Sequence, residues 1–371
     1  MQLSRKDRIR GSLLGGAIGD ALGHVVEFLD YNQIRERFGK SGITEYELRG
    51  GKALVSDDTQ MTLFTANGLL LGDIRMKMRG IGASYPSYVF LCYKDWLRTQ
   101  DPSYHYKDDY NYSWLIDIPE LHHRRAPGNT CLSALYNSDD EGGSIEVPIN
   151  QSKGCGGLMR VAPVGLFCDP EKSGSGDVDE PLLLGAQIAA LTHGHELGYI
   201  PAATLTAIII SIIYGKEADV PLRTIIEDSL ETTRTLFPDA KHMDEYLRLV
   251  KKAIRLVPSK KSDVECINEL GQGWVAEQTL AIAVFCALRY QDDFESGIIA
   301  AVNHSGDSDS TGSITGSILG ARLGYGSLPQ KFLENLELKD VITEIADDIA
   351  TERDFDEQNP PTDPRWDKYL R

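Results

Sequence analysis

Residues 312–324, GSITGSILGARLG, repeat near one end of the chain the pattern that residues 11–23, GSLLGGAIGDALG, set at the other. Glycine recurs at four-residue steps in both, at Gly312, Gly316, Gly320 and Gly324 and at Gly11, Gly15, Gly19 and Gly23, with apolar residues between. On a helix, positions i and i+4 share one face, so each segment predicts a helix with a bare stripe. Glycine costs a helix about 1 kcal/mol relative to alanine, so four in one helix need a compensating reason. The reason expected is close approach of another backbone. The two segments are therefore expected to be central helices in contact, bringing both chain ends to one site.

Helical periodicity dominates the rest. SDDTQMTLFTANGLLLG opens with Ser56 and Asp57, good N-terminal residues, and then spaces Met61, Phe64 and Leu69 at helical intervals, predicting a helix from about 57 to 71. LLLGAQIAALTHG, ATLTAIIISIIYG, RTIIEDSLETTRTLF, DEYLRLVKKAIRLV, VAEQTLAIAVFCALRY and DVITEIADDIATE read the same way, and alternating strand patterns are nearly absent. The expected class is all-α. Residues 136–154 and 168–181 read as polar connections, and residues 352–371 as an acidic, Pro-containing C-terminal tail on a domain spanning 1–351.

Composition narrows the partners. The chain has 371 residues, with 38 Lys+Arg against 55 Asp+Glu, a net charge of -17. Such a field repels phosphate backbones and anionic lipid, and no basic patch of useful size offsets it, so neither nucleic acid nor membrane is expected as a partner. The most apolar run, Ile200 to Tyr214, is shorter than the roughly 20 residues that span a bilayer and reads as a buried helix. No uninterrupted apolar region of a secretory signal opens the chain. Six scattered cysteines without a CxxC pair suit reduced thiols in the cytoplasm.

Chemistry concentrates at two acidic turns. GDSDSTG (306–312) resembles the start of a calcium-binding loop, but the bidentate glutamate that such a loop needs at its twelfth position is Ile318 here. Asp307 and Asp309 alone could simply cap a helix. SDDTQM (56–61), however, sets Ser56, Asp57 and Asp58 at a second helix start. If the two starts face each other, four carboxylates repel unless cations neutralise them or their pKa values rise. Oxygen donors select Mg²⁺, Mn²⁺ or Ca²⁺, and two divalent ions balance four carboxylates. Spacing alone leaves a binuclear site and independent capping both open.

In order along the chain, GSLLGGAIGDALGHVVEF, SDDTQMT, RRAPGNTCLSAL, GLMRVAP, THGH, GQGWVAEQTLAIAVFCAL and HSGDSDSTGSITGSILGA together resemble the ADP-ribosylglycohydrolase family, from about residue 8 to 325. That family includes the ADP-ribosylarginine hydrolases and the dinitrogenase reductase-activating glycohydrolases. The resemblance implies a single large orthogonal all-α bundle with a centre of two Mg²⁺ ions, Mn²⁺ being the alternative. It also implies an enzyme that releases ADP-ribose by cleaving its C1'' bond to a modified residue.

Carried over by motif, the metal ligands implied are Ser56, Asp57, Asp58, Asp307, Asp309 and Ser310. Glu27 falls where the family places a glutamate near the distal ribose, and Glu27 or Asp57 is implied as the base beside Asp307. The glycine loop SKGCGGLMR is implied to line the diphosphate and ribose through Gly154, Cys155, Gly156, Gly157 and Met159. The family commonly has Asn where this chain has Cys155. A nucleophilic role for Cys155 is excluded, since no His/Asp partner lies nearby in sequence. His193 in THGH is implied near the substrate. Gly128 and Asn129 are implied to border the adenosine or phosphate groove, although a turn and helix start explains the same residues.

Glycosidic cleavage at ribose develops oxocarbenium character, which carboxylates and metal-held water suit. HSGDSDSTG looks closer to the arginine-directed members, so the expected substrate is a protein mono-ADP-ribosylated on arginine. Rival expectations are cleavage of O-linked ADP-ribose (on serine, or O-acetyl-ADP-ribose), action on ADP-ribosylated nucleotides, and an immunity-type protein that neutralises an ADP-ribosyltransferase toxin.

Overall fold

The computed structural model describes residues 3–80, 84–107, 110–138, 140–170, 179–215 and 220–370. The chain runs through α1 (Arg5–Gly23), α2 (Tyr31–Phe38), α3 (Asp57–Arg79), α4 (Tyr85–Gln100), α5 (Asn129–Tyr136), α6 (Ala162–Phe167), α7 (Asp179–Ala190) and α8 (Glu196–Tyr214). It continues through α9 (Leu222–Leu236), α10 (Met243–Leu256), α11 (Asp263–Asn268), α12 (Ala276–Arg289), α13 (Phe294–Val302), α14 (Ser308–Leu323), α15 (Gln330–Asn335) and α16 (Lys339–Ala350). Among the described residues the only β pairing is isolated bridges, such as Ala53 with Leu336, so the fold is all-α as expected. Much of the 168–181 connection, residues 171–178, lies outside the described residues.

The glycine stripes do what their spacing predicts. α1 and α14 lie face to face, and a Cβ placed on Gly19 would sit 2.0 Å from the carbonyl O of Gly312. The match repeats along the interface: a Cβ on Gly316 would lie 2.0 Å from Gly15 O, and one on Gly320 2.0 Å from Gly11 O. Backbone packs on backbone with no room for a methyl group. The Ser12 hydroxyl donates to Ser317 O at 3.0 Å, and Arg8 Nη1 donates to the carbonyls of Ala321 and Arg322 at 3.1 Å each. The second pair also satisfies carbonyls that the end of α14 would otherwise leave open.

Around this pair the remaining helices bury their apolar faces. α8 is 19 residues long and apolar enough by composition to cross a membrane, yet 78% of its most apolar window is buried within the fold. Its Ile200, Ile208 and Ile209 are fully buried, each contributing on the order of 2 kcal/mol. α3 starts under a Ser56 cap, whose side chain accepts from Asp58 N, and ends at Gly80, whose left-handed backbone (φ 60°) turns the chain out. Residues 352–370 fold back on the bundle: Trp366 and Tyr369 are buried, and the Tyr369 hydroxyl donates to Asp348 Oδ2 at 2.8 Å.

A candidate binuclear metal site at two helix starts

The N-termini of α3 and α14 converge beside the C-terminal end of α1, and the acidic residues of all three meet. Asp307 is the N-cap of α14, its side chain accepting from Ser310 N at 3.3 Å, while Asp309 Oδ1 accepts from the same amide at 3.0 Å. Asp57 and Asp58 occupy the first turn of α3. Helix capping and a shared site, the two readings left open by spacing, therefore both describe these residues. Asp57, Asp58, Asp307, Asp309 and Glu27 are each less than 10% exposed.

Two arrangements fix α3 in this position. Asp20, the residue after Gly19 in α1, is fully buried and accepts from Ser56 N at 3.0 Å and Thr59 N at 3.1 Å, which anchors α3 on α1. Gly128 N donates to Asp57 Oδ2 at 3.2 Å, and Asp57 N donates to Arg125 O at 3.2 Å. One Asp57 oxygen is thus held by the segment leading into α5.

So many buried acids cannot all stay charged without compensation. Burial pushes the Glu27 carboxyl up to about 10, and the neighbouring Asp309 charge adds to the push. Asp57, Asp58 and Asp307 are driven well above the carboxylate range by burial first and then by Asp309, and Asp20 rises to about 6 for the same two reasons. Asp58 Oδ2, Glu27 Oε2 and His24 Nδ1 are buried without a hydrogen-bond partner. His24 Nδ1 lies 3.6 Å from Glu27 Oε2 and 3.9 Å from Asp309 Oδ2, and one atom from each of the three residues falls within 4.8 Å of the others. Orphaned oxygens in a dry, strongly negative cluster are what a hard divalent cation satisfies, so the residues present fit a metal centre.

The glycine loop forms the adjoining wall. Cys155–Gly157 is a short 3-10 turn, and the Cys155 thiol donates to Asp307 Oδ2 at 2.6 Å. Two of the amides expected to face phosphate are engaged within the protein: Cys155 N donates to Trp274 O at 3.2 Å and Gly154 N to Ser152 Oγ at 3.3 Å. Met159 is buried, and its carbonyl accepts from the Thr62 hydroxyl at 3.4 Å. Gly128 is the N-cap of α5 and Asn129 its first residue, both exposed near Asp57.

His193 lies behind this loop. It is 2% exposed, and a Cβ on Gly154, Gly156 or Gly157 would meet its ring or Cβ within 3.2 Å. Its Nδ1 pairs with the Thr192 hydroxyl at 2.8 Å, so here His193 supports the loop that the glycines form. Burial, reinforced by the Arg160 charge, pushes its pKa down to about 3, and burial pushes that of His304 down to about 4. Both folded values lie below the ordinary 6.5, so below pH 6.5 the unfolded chain binds more protons and stability falls as pH drops. At pH 5 each ring costs about 2 kcal/mol on this basis. His193→Gln should lose stability less steeply than the wild type in urea titrations between pH 7 and 5; parallel curves would contradict the neutral buried ring.

Sequence reasoning missed three contributors. Asp20 and His24 sit inside GDALGHVVEF, where a buried acid among glycines and a His three residues before Glu27 were the available signals. The third is aromatic: Phe28, next to Glu27 and 71% exposed, stacks on the exposed Trp274 at 6.0 Å between ring centroids.

The all-α bundle thus gathers the acidic residues of α1, α3 and α14 into one buried cluster. The ADP-ribosylglycohydrolase family model matches residues 1–359, so the chain belongs to the ADP-ribosylglycohydrolase family. Among curated proteins it is similar to the ADP-ribosyl-(dinitrogen reductase) glycohydrolase of Rhodospirillum rubrum, 24% identical over 90% of this chain and 91% of that protein. It is also similar to the Homo sapiens ADP-ribosylhydrolase ARH3, 28% identical over 50% of this chain and 54% of that protein. A solved ADP-ribosylglycohydrolase-related protein complex matches with a TM-score of 0.56 at 24% identity, covering 94% of this chain and 98% of that one, which shows the shared all-α fold.

Proposed function

We propose that this protein is a metal-dependent ADP-ribosylhydrolase that cleaves the N-glycosidic bond between ADP-ribose C1'' and a modified arginine, reversing mono-ADP-ribosylation of a protein in the cytoplasm. The observation that carries this reading is the buried convergence of Asp57, Asp58, Asp307, Asp309 and Glu27. Ser56, Asp57, Asp58, Asp307, Asp309 and Ser310 would hold two divalent ions, Mg²⁺ or Mn²⁺. The chemistry such ions supply when bound is neutralisation of the carboxylates and acidification of a water.

The chain's own residues divide the remaining work. Asp57 Oδ2 is held by Gly128 N, whereas Glu27 Oε2 has no hydrogen-bond partner and lies beside the exposed Phe28. Glu27 is therefore the better placed of the two to take a proton from the attacking water once bound cations offset the burial and the Asp309 charge that otherwise keep it protonated. The carboxylates around it stabilise the positive charge that develops at C1''. The exposed Phe28 and Trp274 rings suit a cationic guanidinium, which aromatic faces attract, and the net charge of -17 favours the same ligand.

The reading is tested by incubating the protein with ADP-ribosylarginine, ADP-ribosylserine and O-acetyl-ADP-ribose, each with Mg²⁺, with Mn²⁺ and with chelator. Release of ADP-ribose from the arginine conjugate alone, lost on chelation, is the expected result; faster cleavage of an O-linked conjugate would displace the arginine assignment. Glu27→Gln should lower kcat on the arginine conjugate by about 10²–10⁴-fold. Retained turnover would pass the base to Asp57.

A further inference from the structure

We infer that the Cys155 thiol is a donor to this centre, so that the site takes a thiophilic divalent cation, of the Co²⁺–Zn²⁺ type, more tightly than the same site without the sulfur would. The inference rests on the metal reading above and asks which ion the site prefers. Its basis is placement. Cys155 Sγ is 2.6 Å from Asp307 Oδ2, one of the residues assigned as ligands. Independently, Asp58, 2% exposed, keeps its Oδ2 without a partner in the same cluster.

The thiol is also held where it is. Cys155 N donates to Trp274 O at 3.2 Å, and its carbonyl accepts from Leu158 N at 2.7 Å and Met159 N at 3.0 Å. The turn cannot settle deeper, because a Cβ on Gly156 would lie 2.9 Å from Cys131 Sγ and 3.1 Å from the His193 ring. An oxygen-only centre suits Mg²⁺, whereas one thiolate among the oxygens shifts preference toward softer ions. On coordination the thiol proton passes to solvent and the sulfur binds as thiolate. Cys131 does not compete for this role, since its Sγ faces Gly156 O and Arg160 Nη1.

Co²⁺ is the probe. Wild-type protein titrated with Co²⁺ should develop a thiolate-to-cobalt charge-transfer band in the near ultraviolet, and Cys155→Ser should bind Co²⁺ without it. Zn²⁺ affinity, measured by competition with a chromophoric chelator, should fall by about tenfold or more in Cys155→Ser, while the Mg²⁺-induced rise in melting temperature stays within twofold of the same midpoint. A wild-type spectrum lacking the band overturns the inference without needing any variant, and so does a band of equal strength in Cys155→Ser, which would place the sulfur elsewhere. If Mg²⁺ raises the melting temperature and the band is absent, the metal centre stands and the thiol donor falls. If no divalent ion moves the melting temperature, the metal centre itself is refuted. Should Cys155→Ser fold poorly, Cys155→Ala takes its place in the same comparison.

Discussion

Asp309→Asn is expected to move activity and metal-free stability in opposite directions. Asp309 is the charge that most raises its neighbours after burial itself: it appears at Glu27, Asp57, Asp58 and Asp307 alike. Each pKa unit of such repulsion is about 1.4 kcal/mol held against the folded state. Neutralising it at constant shape should therefore raise the melting temperature of chelator-treated protein. On the metal reading proposed above, the same change would remove a ligand and a charge that balances the ions, so turnover should drop by about 10³-fold and Mg²⁺ should no longer stabilise the fold. Thermal melts of both proteins, with and without Mg²⁺, make the comparison. A variant less stable than the wild type in chelator would mean that the cluster carries no stored repulsion.

The second large effect falls on the helix pair behind the site. Gly316→Ala puts a Cβ 2.0 Å from Gly15 O, where both neighbours are main chain and neither can rotate away. Overpacking a core ordinarily costs about 1–3 kcal/mol, and a backbone-to-backbone clash should exceed that range. We expect little soluble Gly316→Ala protein at 37 °C, and a low denaturant midpoint for what is recovered. Gly326→Ala is the matched control, since its added Cβ has no atom within 4 Å, and it should melt close to wild type. A Gly316→Ala protein as stable as Gly326→Ala would mean that close backbone approach does not explain the stripe, since alanine by itself favours a helix over glycine.

What could be read from sequence follows from how local the signal is. The glycine steps, the Ser56 cap and the apolar runs of α8, α9, α10 and α12 are written within single helices, so period and spacing expose them. α4 went unread because its interior holds Lys94 and Asp95, which look like surface residues. Both are buried, and their partners come from later segments: Lys94 Nζ donates to Tyr104 and Leu135 O, and Asp95 accepts from Tyr112 N and Ser113 N. The polar composition of 352–371 similarly hides Trp366 and Tyr369, whose burial depends on partners elsewhere in the fold. Within the site, Asp57, Asp58, Asp307 and Asp309 announced themselves as paired acids at helix starts. Asp20 did not, because its part is to hold Ser56 and Thr59. Bulk placed Phe28 and Trp274 in quoted motifs, but only the fold sets them face to face.

The pairing of α1 with α14 also bears on how the protein is made. α1 is made well before α14, with Asp20 in its last turn and His24 and Glu27 just past its end, so its glycine face waits for a partner made later in the chain. Long-range closure of this kind is slow, and N-terminal segments must persist meanwhile without their final packing. An interrupted chain that ends before α14 is expected to lack Asp307 and Asp309, the acidic cluster at the start of α14, and to leave the glycine face of α1 without the backbone that packs on it.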